Sequence, residues 1–333
     1  MGCRETRSCY TAAITFAPSS QRPRVGGLTM QQVTVRVPAS TSNLGPGYDC
    51  LGVALRLHNS VTVVRGKMPR SSHPQIVSDA AERFFKQTRR RAFSFSCSIV
   101  ERIPRCRGLG SSATVRLGIL LALNQLSGKP LDRLTLFQLC AEVEGHPDNA
   151  APATFGGFTV VHSTASVSLA QAKRGASLAV QRFDVAPRLY FVLLIPDLEI
   201  ETARARRILP SKISRIAAVQ NCANACGLTG AFASRNYEKL RGTFSDNLHQ
   251  PFRAKLIHFL PGVIEAAERA GALGAFLSGS GSAMAAITLK APQKIATAIA
   301  RSAAVPAHTI ITQADNRGAQ VLPMRQPPSG IQH

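Results

Sequence analysis

Residues 104–114 read PRCRGLGSSAT and lead directly into the apolar run VRLGILLALNQL at 115–126. Glycines and serines at the start of a predicted helix let backbone N–H groups approach a ligand closely. A helix N-terminus also carries about half a positive charge, which attracts anions. With Arg105 and Arg107 beside the glycines, the stretch predicts a loop that binds a triphosphate at the start of a helix.

Two common nucleotide motifs fit this stretch poorly. No GxxxxGK[ST] pattern occurs, so a Walker loop is excluded. The letters GLGSSA match GxGxxA, but Pro104 and three more residues separate the predicted strand from the first glycine, and Asp132 opens a helix. Both features argue against a dinucleotide-binding unit. A glycine- and serine-rich helix cap without any ligand is the second interpretation.

A second cluster follows at 142–149, where EVEGHPDN places four ionisable or metal-competent side chains at a predicted helix end. Carboxylate oxygens suit Mg²⁺ that is bound together with a nucleotide. The alternative is a plain helix terminus followed by the turn residues Asp148 and Asn149. The stretch GALGAFLSGSGS at 271–282 indicates a close approach of backbone to chain or ligand.

Composition limits the class of protein. The 333 residues predict two domains, and the formal net charge of +22 suggests an acidic partner such as nucleic acid, an anionic membrane or a phosphorylated small molecule. This charge is dispersed along the chain, so a general solubility trait is the alternative. No apolar run is long enough to span a membrane. The cysteine spacing shows neither a disulfide framework nor a zinc site, which favours a cytoplasmic location.

The first 29 residues are rich in Ser, Thr and Arg and contain one acid, Glu5. They resemble an organelle transit peptide loosely, and Met1, Gly2 and Thr6 match a lipidation pattern. The favoured interpretation is that Met30 is the true start and that 1–29 is an unstructured extension.

The remaining pattern mixes strands and helices throughout. A strand is predicted from Val33 to Val37 and is expected to end at Pro38, before a turn-rich loop. Separate strands are predicted at 51–57 and 60–64, and separate helices at 211–226 and 229–237. This mixture indicates an α/β or α+β fold.

Taken together, these motifs resemble the GHMP kinases. Residues 37–52, VPASTSNLGPGYDCLG, are similar to the opening motif of the homoserine kinase branch, and EGHPDN at 144–149 fits the same branch. The segments TARARRILP at 202–210 and DNLHQPFR at 246–253 resemble two further motifs. The similarity extends from about Val33 to Val321.

The resemblance implies an α+β fold with two lobes. A ribosomal-protein-like lobe at 30–165 would bind ATP and contain a left-handed βαβ crossover, an exception to the usual hand. A ferredoxin-like lobe would occupy 166–325, with a disordered tail at 326–333. The active site would lie between the lobes.

The resemblance also implies roles for individual residues. Ser112 and Glu144 would bind Mg²⁺ bridging the β- and γ-phosphates. The ATP phosphates would lie against Pro104, Arg105, Cys106, Arg107, Gly108, Leu109, Gly110, Ser111, Ser112, Ala113 and Thr114. L-Homoserine would be surrounded by Asn43, Asp49, His146, Asn149, Arg206 and Arg253.

Within that substrate set, Asp49 suits an ammonium group, and Arg206 and Arg253 suit a carboxylate. The family pattern has Asn149 where related kinases have a catalytic Asp, which implies phosphoryl transfer without a dedicated base. Asp148 is the rival catalytic residue on chemical grounds. Three positions depart from the family pattern: Tyr48 replaces Phe, Ser282 replaces Pro, and Arg116 has no assigned role.

The expected function is ATP-dependent phosphorylation of L-homoserine in threonine biosynthesis. Another GHMP kinase acting on a different small alcohol is one alternative, and a non-catalytic basic RNA-binding protein is another. Nucleic acid is not an expected partner, because the sequence lacks interleaved basic and aromatic residues. No membrane partner is expected, and a homodimer is left open.

Overall fold

Two antiparallel sheets organise the residues that the computed structural model describes, which are 32–66, 73–163 and 178–323. One sheet has six strands and the other has four. The predictions for 1–29 and 326–333 lie outside these ranges. No helix within them is long and apolar enough to cross a membrane.

The elements of the first half of the chain build most of the six-stranded sheet and its helices. In order they are β1 (Gln32–Ser42), β2 (Leu51–Arg65), α1 (Gln75–Thr88), β3 (Phe95–Val100), α2 (Ser111–Leu126), α3 (Arg133–Glu144), α4 (Ala150–Phe155), β4 (Phe158–Ser163) and β5 (Leu178–Phe183).

The second half builds the four-stranded sheet and returns to the first one. Its elements are β6 (Tyr190–Pro196), α5 (Thr202–Arg207), α6 (Arg215–Ala233), a 3₁₀ helix (Tyr237–Leu240), α7 (Gln250–Arg253), α8 (Leu260–Arg269), β7 (Gly274–Leu277), β8 (Met284–Thr288), α9 (Pro292–Ser302), β9 (Ala307–Gln313) and β10 (Gln320–Leu322).

In the six-stranded sheet the strand order is β10–β1–β2–β4–β5, and β3 pairs with the C-terminal part of β2 on the edge opposite β1. Helix α2 contacts β1 and β2 on one side and α1 and α3 on the others. Its side chains Leu117, Leu120 and Leu123 are completely buried. Because α2 is packed on several sides, its N-terminus is held in a fixed position.

The four-stranded sheet has the order β7–β8–β6–β9, and all its pairs are antiparallel. Helices lie between β6 and β7 and between β8 and β9, which gives the βαββαβ connection of a ferredoxin-like unit. Val263, Ile295 and Ile299 pack a helical layer against Val192 and Leu194 of β6. The predicted ferredoxin-like unit is confirmed.

A further apolar core joins residues of both sheets, including Leu55 and Phe158 from the first and Phe191 and Phe276 from the second. Strand β10 pairs with β1, and β5 pairs with β4. Both strands therefore belong to the six-stranded sheet although they fall in the range 166–325. The exact lobe boundaries and the left-handed crossover stay predictions.

Three local predictions differ from the structure. β1 continues past Pro38 to Ser42, because a shift of register between Pro38 and Ala39 accommodates the missing N–H. β2 is one strand rather than two. α6 runs through the glycines of the expected break near 227–230, because its buried face, with Leu228 and Phe232, packs on the shared core.

Candidate active site

A cavity of about 400 Å³ brings together residues that are far apart in the sequence. Its walls include the loop before α2, the end of α3, the turn after β1, helices α5 and α7, and the glycine-rich turn after β7. Most of the predicted site residues line this cavity. The exceptions are Ala113 and Thr114, whose side chains are completely buried in the body of the protein.

The predicted phosphate loop ends at Gly110, the residue just before the first turn of α2. Gly108 has φ +71° and Gly110 has φ +69°. A Cβ atom at Gly108 would collide with the Ser278 carbonyl, and one at Gly110 would collide with Ser40 Oγ. No side chain caps the helix, so its first N–H groups face the cavity without a side-chain partner.

Three contacts hold this loop against both sheets. The Ser40 N–H donates to the Leu109 carbonyl over 3.1 Å, and Ser278 Oγ donates to the Gly108 carbonyl over 2.7 Å. The Ala283 N–H donates to the Arg107 carbonyl over 3.0 Å. With its carbonyls bound from outside, the loop is preorganised to present N–H groups to an anion.

The two loop arginines already have acidic partners. Arg105 forms an ion pair with Glu101. Arg107 lies 3.3 Å from Asp197 and 3.2 Å from Glu199, and its Nε donates to the Pro196 carbonyl over 2.9 Å. These pairs reduce the positive charge that either side chain offers to a phosphate. The backbone N–H groups of the loop are therefore the better hydrogen-bond donors to a bound anion.

Ser112 and Glu144 meet at the edge of the cavity. Ser112 Oγ donates to Glu144 Oε2 over 2.8 Å, and Arg116 Nη1 pairs with Glu144 Oε1. Glu142, the other glutamate of the second cluster, instead pairs with Arg83 at 2.7 Å and does not line the cavity. A hydroxyl and a carboxylate side by side form a hard oxygen pair of the type that Mg²⁺ prefers.

His146, Asp148 and Asn149 form a polar network below the loop. His146 Nδ1 and Asp148 Oδ1 are 2.7 Å apart, and Asn149 Nδ2 donates to Asp148 Oδ1 over 3.3 Å and to Ser42 Oγ over 3.1 Å. Ser40 Oγ donates to Asn149 Oδ1 over 2.8 Å. These bonds fix the amide of Asn149 directly beneath Gly110.

Opposing effects set the charges of this network. Burial raises the pKa of Asp148, but His146, Ser42 and Arg206 together outweigh burial, so the net pKa is lowered. Burial lowers the pKa of His146, and the neighbouring carboxylates of Asp148 and Glu144 reverse this and raise the pKa. Asp148 is therefore ionised at neutral pH, although only 3% of it is exposed.

Asp49 and Arg206, which are expected to bind the ammonium and the carboxylate of the substrate, pair with each other in the structure. Arg206 Nη1 donates to Asp49 Oδ2 over 2.9 Å, and Nη2 donates to Oδ1 over 2.6 Å. Arg206 Nη1 also donates to the Tyr48 hydroxyl over 2.9 Å. A positive and a negative group thus lie next to each other on the cavity wall.

Arg253 lies behind this pair and is almost fully buried. Its Nη1 donates to the Gly279 carbonyl over 2.8 Å and to His249 Nδ1 over 3.3 Å, and its Nε donates to the Ala205 carbonyl over 3.2 Å. Asn43 Nδ2 donates to the same Gly279 carbonyl over 3.0 Å. Both side chains therefore hold the glycine-rich turn as well as lining the cavity.

Sequence reasoning assigned no role to several residues of the site. Ser40 and Ser42 lie inside the quoted opening motif, and their hydroxyls hold Asn149. Tyr48 was noted only as a departure. Thr202 and Ser280 line the cavity with their hydroxyl oxygens 3.3 Å apart. The position of the two serines in the opening motif could have indicated a role. Their contact with Asn149 could not be predicted, because Asn149 lies more than a hundred residues away.

Family models match two parts of the chain. The model described as the GHMP kinases N terminal domain matches residues 75–157. The model described as GHMP kinases C terminal matches residues 229–305. These ranges contain the phosphate loop, the EGHPDN cluster and the glycine-rich turn.

Curated relatives and solved structures are similar along nearly their whole length. The homoserine kinase of Synechocystis sp. is 34% identical over 316 residues, which covers 89% of this chain and 100% of that protein. The homoserine kinase of Caldicellulosiruptor bescii is 36% identical, covering 87% of this chain and 97% of that protein. The crystal structure of homoserine kinase from Cytophaga hutchinsonii gives a TM-score of 0.76 at 26% identity, covering 89% of this chain and 100% of that one.

Proposed function

Since the chain belongs to the GHMP kinase family, we propose that it is a homoserine kinase. It transfers the γ-phosphate of ATP to the hydroxyl of L-homoserine and gives O-phospho-L-homoserine and ADP, a step of threonine biosynthesis. The observation that carries the substrate assignment is the Asp49–Arg206 pair, which lines the same cavity as the phosphate loop. Adjacent opposite charges fit a zwitterionic amino acid better than an uncharged alcohol.

The phosphate loop supports the assignment of ATP as the phosphoryl donor. The uncapped N-terminus of α2 offers N–H groups and the positive end of the helix dipole to the phosphates. Gly108 and Gly110 leave room for them, because any side chain there would strike Ser278 or Ser40. Phosphoryl transfer depends mainly on such positioning and on charge neutralisation.

The residues at the cavity edge fit Mg²⁺. Ser112 Oγ and Glu144 Oε2 would hold it, and both are hard oxygen donors. Among the described residues no three His, Cys, Asp or Glu side chains cluster as a metal cage. Two protein ligands suffice for Mg²⁺, which usually takes its remaining ligands from water and nucleotide phosphates. The bound metal would neutralise charge on the transferred phosphoryl group.

For the substrate, we propose that homoserine separates the Asp49–Arg206 pair. Its ammonium would take Asp49, and its carboxylate would take Arg206, with Arg253 behind. Each new contact replaces one that the two side chains make with each other, so the exchange leaves neither charge without a partner.

The hydroxyl of homoserine would then lie near Asn149, whose amide is fixed by Ser40, Ser42 and Asp148. Asn149 would orient the hydroxyl, and its proton would pass to the phosphoryl group. Asp148 is a poor direct base, because its pKa is lowered and its Oδ1 already accepts from two neighbours. A cytoplasmic location stays a prediction.

An ADP-release assay tests this function. The purified chain is supplied with Mg-ATP and, in parallel, with homoserine, serine, threonine, shikimate and mevalonate. We expect homoserine to be the best acceptor and mass spectrometry to identify O-phosphohomoserine as the product. Much faster turnover of mevalonate or shikimate would make the chain a GHMP kinase for another alcohol.

A further inference from the structure

Arg116 stands on the same face of α2 as Ser112, one turn further along the helix. Its guanidinium reaches across to α3 and pairs with Glu144 Oε1, while Ser112 Oγ donates to Oε2. The Arg116 side chain is 19% exposed and that of Glu144 is 4% exposed. Ser112 and Glu144 line the cavity, whereas Arg116 does not, so Arg116 lies behind the carboxylate.

Glu144 is the ion-pair partner of Arg116. Among the described residues Arg116 has no other ion pair or hydrogen bond, and its buried Nε has no partner at all. A buried N–H without a partner is costly, so this arginine contributes little to a general structural network. Its charge acts on Glu144 and, through Glu144, on the phosphate site.

We propose that Arg116 is a positioning residue that acts through Glu144: its charge offsets that of the Glu144 carboxylate, so that nucleotide binding depends less on Mg²⁺. The inference rests on the proposed function only in requiring that nucleotide phosphates bind at the N-terminus of α2. It needs no particular phosphoryl acceptor.

The sign of the effect follows from Coulomb's law. Without metal, the positive charge of Arg116 offsets the repulsion between the Glu144 carboxylate and the phosphates. With metal held at Oε2, the same positive charge repels the metal and weakens its hold. Removing the charge of Arg116 therefore weakens metal-free nucleotide binding and favours the metal-bound form, and both changes increase the dependence on metal.

The experiment measures the dissociation constant of ADP by calorimetry, once with excess EDTA and once with excess MgCl₂. The metal coupling ratio is the dissociation constant in EDTA divided by the dissociation constant in MgCl₂. We expect Arg116→Met to raise this ratio about three- to tenfold, which is the scale of a partly screened charge at close range. Arg116→Lys keeps the charge and is expected to stay within about twofold of the unmodified chain.

Arg83→Met is the matched control, since Arg83 pairs with Glu142 only two residues before Glu144 but outside the cavity. Its metal coupling ratio should not change. If Arg116→Met weakens both binding constants equally, Arg116 is merely structural and the inference is wrong. A lowered ratio, or an unmodified chain that fails to bind ADP, would also overturn it.

Should Arg116→Met fail to fold, Arg116→Gln in the same two titrations decides, because it also removes the charge. The homoserine assay gives an independent result. A chain that binds ADP with the expected coupling but prefers another alcohol would contradict the substrate assignment and leave the role of Arg116 intact.

Discussion

Glu144 ends α3 with each carboxylate oxygen on a different partner, Ser112 and Arg116. The contact with Ser112 keeps one carboxylate oxygen of Glu144 at the phosphate loop. Both glutamates were close enough in the sequence to be rivals. Because Glu142 lies two positions before Glu144, it points to a different side of α3 and pairs with Arg83 instead.

Glu144→Gln should therefore lower kcat strongly while the fold survives. Loss of groups that only support a metal ligand commonly costs ten- to a hundredfold, so loss of a direct ligand should cost about a hundredfold or more. Steady-state kinetics over a range of Mg²⁺ concentrations measure this effect. Glu142→Gln is the control and should leave kcat nearly unchanged; an unchanged rate in Glu144→Gln would move the metal elsewhere.

Substitutions at Asp148 and Asn149 test how the hydroxyl proton of homoserine is removed. A positioned general base is worth about 10²- to 10⁴-fold, so Asp148→Asn would lose about that factor if Asp148 were the base. Because its pKa is lowered and its Oδ1 is already occupied, we expect a smaller loss, and a larger one for Asn149→Ala.

Both variants are measured as kcat with saturating ATP over a range of pH. The reverse ordering, together with a fall of kcat at low pH that disappears in Asp148→Asn, would establish Asp148 as the base. The melting temperature of each variant separates loss of chemistry from loss of the network around Ser40 and Ser42.

Among the elements, helix α2 is flanked at both ends by a glycine with positive φ. Gly110 precedes its first residue and Gly128 follows its last turn, with φ +69° and φ +78°. Their surroundings differ. A Cβ at Gly110 would meet Ser40 and Asn149, whereas nothing lies within 4 Å of one at Gly128.

Gly110→Ala should consequently lose affinity for ATP by about tenfold or more as well as stability, because displacing Ser40 breaks its hydrogen bond to Asn149. Gly128→Ala carries a similar backbone strain of about 1–2 kcal/mol. It should lower the melting temperature and leave ATP affinity unchanged. Equal ATP affinities in the two variants would show that the space at Gly110 is not used by the nucleotide.

At the scale of the whole molecule, His249 links the turn after β1 to α7. Its Nε2 lies 2.9 Å from the Gly45 carbonyl, and its Nδ1 accepts from Arg253 Nη1. Burial is the main reason that the pKa of His249 falls from 6.5 to about 4, and the charge of Arg253 adds to the effect of burial. The folded chain therefore holds this imidazole neutral over a range in which the unfolded chain protonates it.

Stability should fall as the pH is lowered from about 6.5 to about 4, because only the unfolded state takes up the proton there. Melting temperatures over this range measure the slope. We expect a shallower slope in His249→Gln, and no change in His258→Gln, whose side chain is exposed. Equal slopes in the unmodified chain and His249→Gln would remove His249 as the source.

Features that depend only on neighbouring residues could be predicted from local spacing. The order of glycines and serines at 108–112 places the N-terminus of α2 at Ser111, and Asp132 caps α3 by accepting from the Thr135 N–H. The resemblance of these separate motifs predicted the family and the four-stranded unit. Local propensity failed where tertiary contacts outweighed it, as at Pro38 in β1 and at the glycines of α6.

The partner of each charged side chain could not be predicted in this way. Asp49 and Arg206 are 157 residues apart, and Glu144 and Arg116 are 28 apart. Spacing along the chain carries no information about such pairs, because partner choice depends on which groups the two sheets bring within about 3 Å of each other. The motifs predicted most of these residues, but the pairing of Asp49 with Arg206 and of Glu144 with Ser112 and Arg116 follows from the packing of the sheets.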